Sequence, residues 1–224
     1  MPRAMFEPVY KESFPFWGGI SEDEREFICR HSVAVTYNKG ETIHDGTECS
    51  GVFFVRSGCL RVYIMSEDGK AVTLYRLHAG DMCMLASSCV LQAVTFDVFI
   101  DVEEDSECFV VNGNAFASVS ENNPDVKIFA LELAVTRFSD VMWVMQQILF
   151  MSMDKRLAIF LSDECARTGS DVVMLTHEQI AKYMGSAREV VSRTMKYFSN
   201  EGIVEASRKG VKILDKKKLR ELAL

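Results

Sequence analysis

Four polar side chains lie close together near the end of this chain: Arg188, Glu189, Ser192 and Arg193. Arginine bonds guanine O6 and N7 bidentately, glutamate accepts from cytosine N4, and serine bonds either kind of base edge. The set therefore has the chemistry of base readout in a DNA major groove. On an isolated helix the same residues would be ordinary solvated Arg–Glu pairs. Their surroundings favour readout. Thr176 with Gln179, and Ser186 with Glu189, have the spacing of two capping boxes, and Gly185 stands where a first helix would end. That predicts two short helices joined by a tight turn, with Arg188 and Glu189 in the first turn of the second helix and Arg193 a turn further on. Ile180, Ala181, Met184, Val190, Val191 and Met195 are the apolar positions that would hold the two helices together. Residues 203–206 and 208–214 then read as a two-stranded hairpin, a wing with Arg208 and Lys209 at its tip. These two cations, with Thr176 and Ser186 at the helix starts, are the candidate phosphate-backbone contacts.

The elements upstream change character twice. From residue 35 to 112 the chain reads as short strands. Residues 52–55 are an apolar run, Arg56-Ser57-Gly58 a turn, 60–64 an alternating strand, and Glu67-Asp68-Gly69-Lys70 a hairpin loop. Further strands are predicted at 72–77, 94–102 and 108–111. Glycines 40, 46, 58, 69 and 80 recur at the spacing of a small antiparallel barrel or jelly roll. After Asn123-Pro124 the period lengthens. Leu131, Ala134, Phe138, Val141, Met145 and Ile148 form a heptad seam, which suits either packing on the barrel or pairing with a partner helix. Ile128, Leu133, Met142 and Leu149 flank the seam, so one helix has apolar surface enough for both. From residue 154 a separate unit begins: a helix to about Arg167, a short strand at 172–174, the two short helices, the wing, and a last helix at 216–222.

The net charge of −7 hides an asymmetry. Residues 154–224 hold 14 Lys and Arg against 10 Asp and Glu, a balance of +4, which leaves −11 on residues 1–153. A basic module on an acidic body is the distribution expected of a nucleic-acid-binding unit attached to a sensor. The first twenty residues carry Glu7, Lys11 and Glu12 without an apolar stretch, which argues against a signal peptide. The apolar run 141–151 is too short to span a bilayer. The seven cysteines, an odd number without zinc-type pairs, read as reduced thiols of a cytoplasmic protein. An enzyme on such a barrel would need paired histidines and a carboxylate around a metal. His31, His44, His78 and His177 form no such pair, so neither an enzyme nor a metal site is expected.

Over nearly its whole length the chain resembles the CRP/FNR family of bacterial transcription regulators. The residues that carry the resemblance are Gly185-Ser186-Ala187-Arg188-Glu189-Val190-Val191-Ser192-Arg193, similar to the family's recognition-helix signature, Arg156-Leu157-Ala158, and the glycine-punctuated barrel from Gly40 to Gly80. The resemblance implies an α+β protein: an N-terminal antiparallel β-roll (residues 1–123) that senses an effector, a long dimerisation helix (124–153) and a C-terminal winged helix-turn-helix (154–224). It implies a parallel homodimer through the seam at 131–148, a palindromic double-stranded DNA site with a TGA-like half-site, and RNA polymerase as a further partner. Glu189 and Arg193 would read the G·C pair common to the family, and Arg188 and Ser192 would set the remaining preference.

The sensing half departs from the family pattern. Cyclic-nucleotide-binding members follow a Gly-Glu with an Arg that neutralises the cyclic phosphate, whereas here Gly80-Asp81 is followed by no Arg or Lys before Asp125. A buried phosphodiester without a cation is costly, which argues against cyclic AMP. The expected pocket is apolar: Met82, Cys83, Met84, Leu85, Cys89 and Phe96, with Val141 and Met142 from the helix. An N-terminal iron–sulfur cluster is disfavoured because no cysteine precedes Cys29, while His78 or Cys83 would be the axial ligand of a haem. Cys83 and Cys89 are candidates for a thiol switch, or else small buried hydrophobes. The competing function is a small-molecule-binding regulatory subunit whose C-terminal unit docks protein instead of DNA.

Overall fold

The protein is described by a computed structural model over residues 2–45, 51–84, 97–207 and 210–224. It divides into two compact units: Met1–Met65 with Leu74–Val141, and Ser66–Thr73 with Met142–Leu224. The first unit opens with α1 (Pro2–Ser13), a 3-10 turn (Pro15–Gly18) and α2 (Glu22–Arg30), the last started by a capping box between Ser21 and Glu24. The strands β1 (Ser32–Tyr37), β2 (Thr42–His44), β3 (Val52–Met65), β4 (Ala71–His78), β5 (Met82–Cys83) and β6 (Phe99–Val111) form one sheet. Its order is β1-β6-β3-β4, with β2 paired to β6 and β5 to β3. Helices α3 (Gly113–Asn122) and α4 (Pro124–Phe150) follow.

The turn predicted at Arg56-Ser57-Gly58 is instead a bulge inside one continuous strand. β3 pairs with β6 from Val52↔Val111 to Tyr63↔Phe99, with register shifts between Val55 and Leu60. Gly58 has φ +88°, and the Ser106 hydroxyl fills the bulge by accepting from the Cys59 N–H at 3.1 Å. A Gly in the left-handed region can absorb an extra residue without ending the ladder. The strand predicted at 108–111 and residues 99–102 of the one predicted at 94–102 are likewise joined in β6 (Phe99–Val111), while residues 94–96 lie outside the described residues.

Both faces of this sheet are buried, which is why 52–55 reads as an unbroken apolar run. Val52 and Phe54 point into an aromatic cluster with Phe6, Tyr10, Phe14, Trp17, Phe109 and Phe116. Phe53 and Val55 point into a second core with Leu60, Val62, Leu77, Ile100 and Cys108. Alternation along a strand sorts successive residues between the two.

The second unit contains α5 (Met153–Thr168), β7 (Val172–Val173), α6 (His177–Met184), α7 (Arg188–Asn200), β8 (Val204–Ser207), β9 (Gly210–Ile213) and α8 (Lys216–Ala223). The strands pair in the order β7-β9-β8. Leu157, Leu161, Ile180, Val191, Met195, Phe198, Ile213 and Leu219 share its core. Two helices, a turn and a two-stranded wing on a third helix make a winged helix-turn-helix, and the whole chain is an α+β protein. Among the described residues no helix is long and apolar enough to cross a membrane, and no group of three metal-ligating side chains occurs.

Candidate nucleic-acid interface

Local sequence fixes the frame of α6 and α7. Thr176 caps α6 by accepting from the Gln179 N–H, and the Gln179 side chain reaches back to the Thr176 N–H at 2.9 Å. Gly185 then ends α6 with φ +59°. The second capping box does not form. The N-cap of α7 is Ala187, which carries no side-chain cap, so Ser186 falls one position before the cap and Glu189 on the second helical residue. The Ser186 hydroxyl donates instead to the Met153 sulfur at 3.8 Å. Arg156 on α5 donates to the Met184 carbonyl at the end of α6, which ties the turn to the first helix of the unit.

The amphipathic faces of the two helices do the rest. Ile180, Ala181, Met184, Val191, Met195 and Phe198 are buried, while Val190 is only half-buried. Arg188, Glu189 and Arg193 are exposed together on the opposite side of α7, and Thr176 is exposed at the start of α6. Ser192, predicted to face a base, is half-buried, and its hydroxyl lies 3.0 Å from Nδ1 of His177. Sequence reasoning missed this link, because residues fifteen apart meet only through the crossing of α6 and α7. Burial, and then the nearby Arg188 cation, hold the His177 imidazole below the ordinary histidine range. A concavity of about 350 Å³ lies here, lined by Thr176, His177, Glu178, Arg188, Ser207 and Gly210. The wing-tip residues Arg208 and Lys209 lie outside the described residues.

The buried residues among those predicted to line an effector pocket divide between the two faces of the sheet. Met82 and Met84 are buried in the aromatic cluster, Cys83 in the second core, because they alternate along β5. Val141 packs against that second core, whereas Met142 is exposed. Leu85, Cys89 and Phe96 lie outside the described residues. His78, the other conceivable haem ligand, is half-buried at the end of β4, and its backbone N–H donates to the Asp81 carboxylate at 2.8 Å.

Although the sequence from Leu77 to Asp125 lacks a cation, α4 supplies one to its start. Arg137, its side chain 12% exposed, donates to the Met82 carbonyl at 2.9 Å and lies over the Tyr75 ring at 4.8 Å. Asp140 at 3.0 Å and Asp81 at 3.8 Å balance its charge. Elsewhere on α4, Leu131, Phe138, Met145 and Ile148 of the predicted seam are exposed, as are Ile128, Val135 and Leu149, while Ala134 is half-buried.

Comparison with known proteins gives matches along most of the chain. A family model described as a Crp-like helix-turn-helix domain matches residues 155–222. Another, described as a cyclic nucleotide-binding domain, matches residues 34–123. The transcriptional activator protein FnrA of Stutzerimonas stutzeri is 27% identical over 189 residues, covering 79% of this chain and 75% of its own. The cAMP-activated global transcriptional regulator CRP of Pasteurella multocida is 22% identical over 180 residues, covering 78% and 86%. A solved structure from Eubacterium rectale, described as a transcriptional regulator of the CRP/FNR family, is 38% identical with a TM-score of 0.88, covering 95% of this chain and 99% of that one. FixK2 from Bradyrhizobium japonicum, 18% identical with a TM-score of 0.72, shares the fold.

Proposed function

The chain belongs to the CRP/FNR family of transcription regulators, and on that premise we propose that it is a homodimer that reads a palindromic DNA site and is gated by a small effector. It is a DNA-binding regulator with a cyclic-nucleotide-binding-type domain, and not an enzyme. In the proposed arrangement residues 1–123 sense, 124–153 pair with a second copy, and 154–224 bind DNA. Arg188, Glu189 and Arg193 read base edges, with Ser192 beside them, and Thr176, Ser186, Arg208 and Lys209 contact phosphates. The observation that carries the proposal is the joint exposure of Arg188, Glu189 and Arg193 on α7, whose other face is locked into the core of its unit. Recruitment of RNA polymerase, in the cytoplasm where the DNA lies, completes the reading.

Duplexes selected from a randomised pool with the full chain test it. Arg193→Ala or Glu189→Ala should weaken the selected duplex by about tenfold or more, since a good base contact is worth roughly 1–3 kcal/mol. Undiminished sequence-specific binding by both variants would overturn the assignment and favour a regulatory subunit that acts through protein. For the effector we favour a molecule other than cyclic AMP. The stretch from Leu77 to Asp125 has no cation, and Arg137 is already engaged by Asp140 and the Met82 carbonyl. Equilibrium dialysis against cyclic AMP should therefore show no binding. Native mass spectrometry of protein purified from anaerobic cells would reveal a bound molecule, haem included, as excess mass.

A further inference from the structure

We propose that His177 is the proton-coupled element of the DNA interface, taking up a proton as a backbone phosphate of duplex DNA enters the concavity that it lines. The proposal rests on α7 being the recognition helix. His177 is the first residue of α6, half-buried, with Nδ1 3.0 Å from the Ser192 hydroxyl on the base-reading helix. The concavity around it collects Thr176 and Glu178 from the start of α6, Arg188 from the first turn of α7, and Ser207 and Gly210 from the wing. Among the described residues the charged groups on it are Glu178 on the same helix and Arg188 on the next, while Ser207, Gly210 and the apolar Met174, Leu175 and Val211 bring no charge. The Arg188 guanidinium and the Thr176 and Ser207 hydroxyls around a hollow beside the base-reading residues suit a phosphate oxygen.

In the free protein, burial and Arg188 both disfavour the imidazolium. A phosphate at hydrogen-bond distance reverses the local field and offers an acceptor to a ring N–H. The complex then holds more protons than the separated partners across the interval between the free and bound titrations of His177. Within that interval affinity rises as pH falls, and outside it this contribution is flat. Protonation also changes Ser192. A doubly protonated ring can only donate, so the Ser192 oxygen accepts and its own O–H is released towards DNA.

The test uses the full chain and a fluorescein-labelled duplex of mixed sequence, since a phosphate contact needs no particular bases. Anisotropy titrations from about pH 5.5 to 8.5 should show wild-type affinity rising by up to about tenfold per pH unit and protomer inside the interval. His177→Gln, which keeps a side chain able to bond Ser192, should lose that share of the slope. Ser192→Ala should keep it. An unchanged slope in His177→Gln, or a slope lost equally in Ser192→Ala, would overturn the proposal. Histidine NMR of the wild-type chain gives a second readout. The resonance absent from His177→Gln should titrate at higher pH with duplex than without it, and an unmoved midpoint would refute the proton uptake. Absence of DNA binding at every pH would refute the recognition-helix assignment itself, whereas binding without the His177-dependent slope would refute only this inference.

Discussion

Gly58 and Gly40 both sit at positive φ, +88° and +93°, but their surroundings differ. A Cβ at Gly58 would meet the Ser106 hydroxyl at 2.2 Å and the Asp105 carbonyl at 2.4 Å, whereas one at Gly40 would meet nothing within 4 Å. Each Gly→Ala change incurs roughly 1–2 kcal/mol of backbone strain, and only at Gly58 is a clash with the β6 backbone added. Urea midpoints should therefore fall further for Gly58→Ala than for Gly40→Ala. At this scale the sequence is legible where a residue acts with near neighbours. Thr176, Gln179 and Gly185 carry out the roles their spacing predicts. Ser186 and Glu189 share that spacing without forming a box, because α7 starts after Ala187 and the hydroxyl goes to Met153. Arg137 was hidden for the opposite reason. Its partner, the Met82 carbonyl, is 55 residues away, and only the path of α4 along the roll brings them together.

Among the elements, α4 presents the plainest unsatisfied surface. Leu131 is 53% and Phe138 64% exposed, and Ile128, Val135 and Leu149 extend the patch. Exposed apolar surface of this extent on one helix marks an interaction site, and the heptad spacing of the seam suits a second copy of the same helix. Leu131→Glu with Phe138→Glu should leave each chain folded and convert the proposed dimer to monomer in light scattering. Burial of one such side chain is worth about 1.5–3 kcal/mol, and symmetry counts each twice. A dimer that survives the pair of charges would place the interface elsewhere. The period of α4 was readable but its outward row only in part. Leu131, Phe138 and Met145 are exposed as the spacing predicts. Ala134 is half-buried and Val141 packs against the second core, whereas Ile128, Val135, Met142 and Leu149 extend the exposed row instead. The N-terminal helices were not read, although Phe6, Tyr10 and Phe14 recur every four residues and Ser21-Glu22-Asp23-Glu24 spells a capping box. Their aromatic side chains form one core with Phe109 and Phe116. The bulged β3 defeats simple reading, since Gly58 signals a turn as well as a bulge.

For the molecule as a whole, acid should act on both units. Burial holds His44 in the first unit and His177 in the second below the ordinary histidine range. The unfolded chain therefore binds protons that the folded chain refuses. Stability contributed by these groups is full above about pH 6.5 and is lost as pH falls towards their folded values. Thermal midpoints should drop between neutral and mildly acidic pH, and His44→Asn should flatten part of that drop; an undiminished drop in the variant would remove His44 from the account. The thiols behave differently. Burial pushes Cys29 and Cys108 up to about 11, so both stay protonated and unreactive near neutrality.

The two tryptophans occupy opposite settings. Trp17 is 2% exposed within the aromatic cluster, while Trp143 on α4 is 43% exposed. The chain thus carries an internal fluorescence standard and an indicator within one emission spectrum. Trp17 should emit as a shielded indole whatever the oligomeric state. Trp143, two residues before Met145, is turned away from the row of Leu131, Phe138 and Met145, so it should stay red-shifted and open to acrylamide when a second helix covers that row. A blue shift of Trp143 as the wild-type protein is concentrated, with no label or mutation, would therefore move the contact to another face of α4, against a reference that does not change.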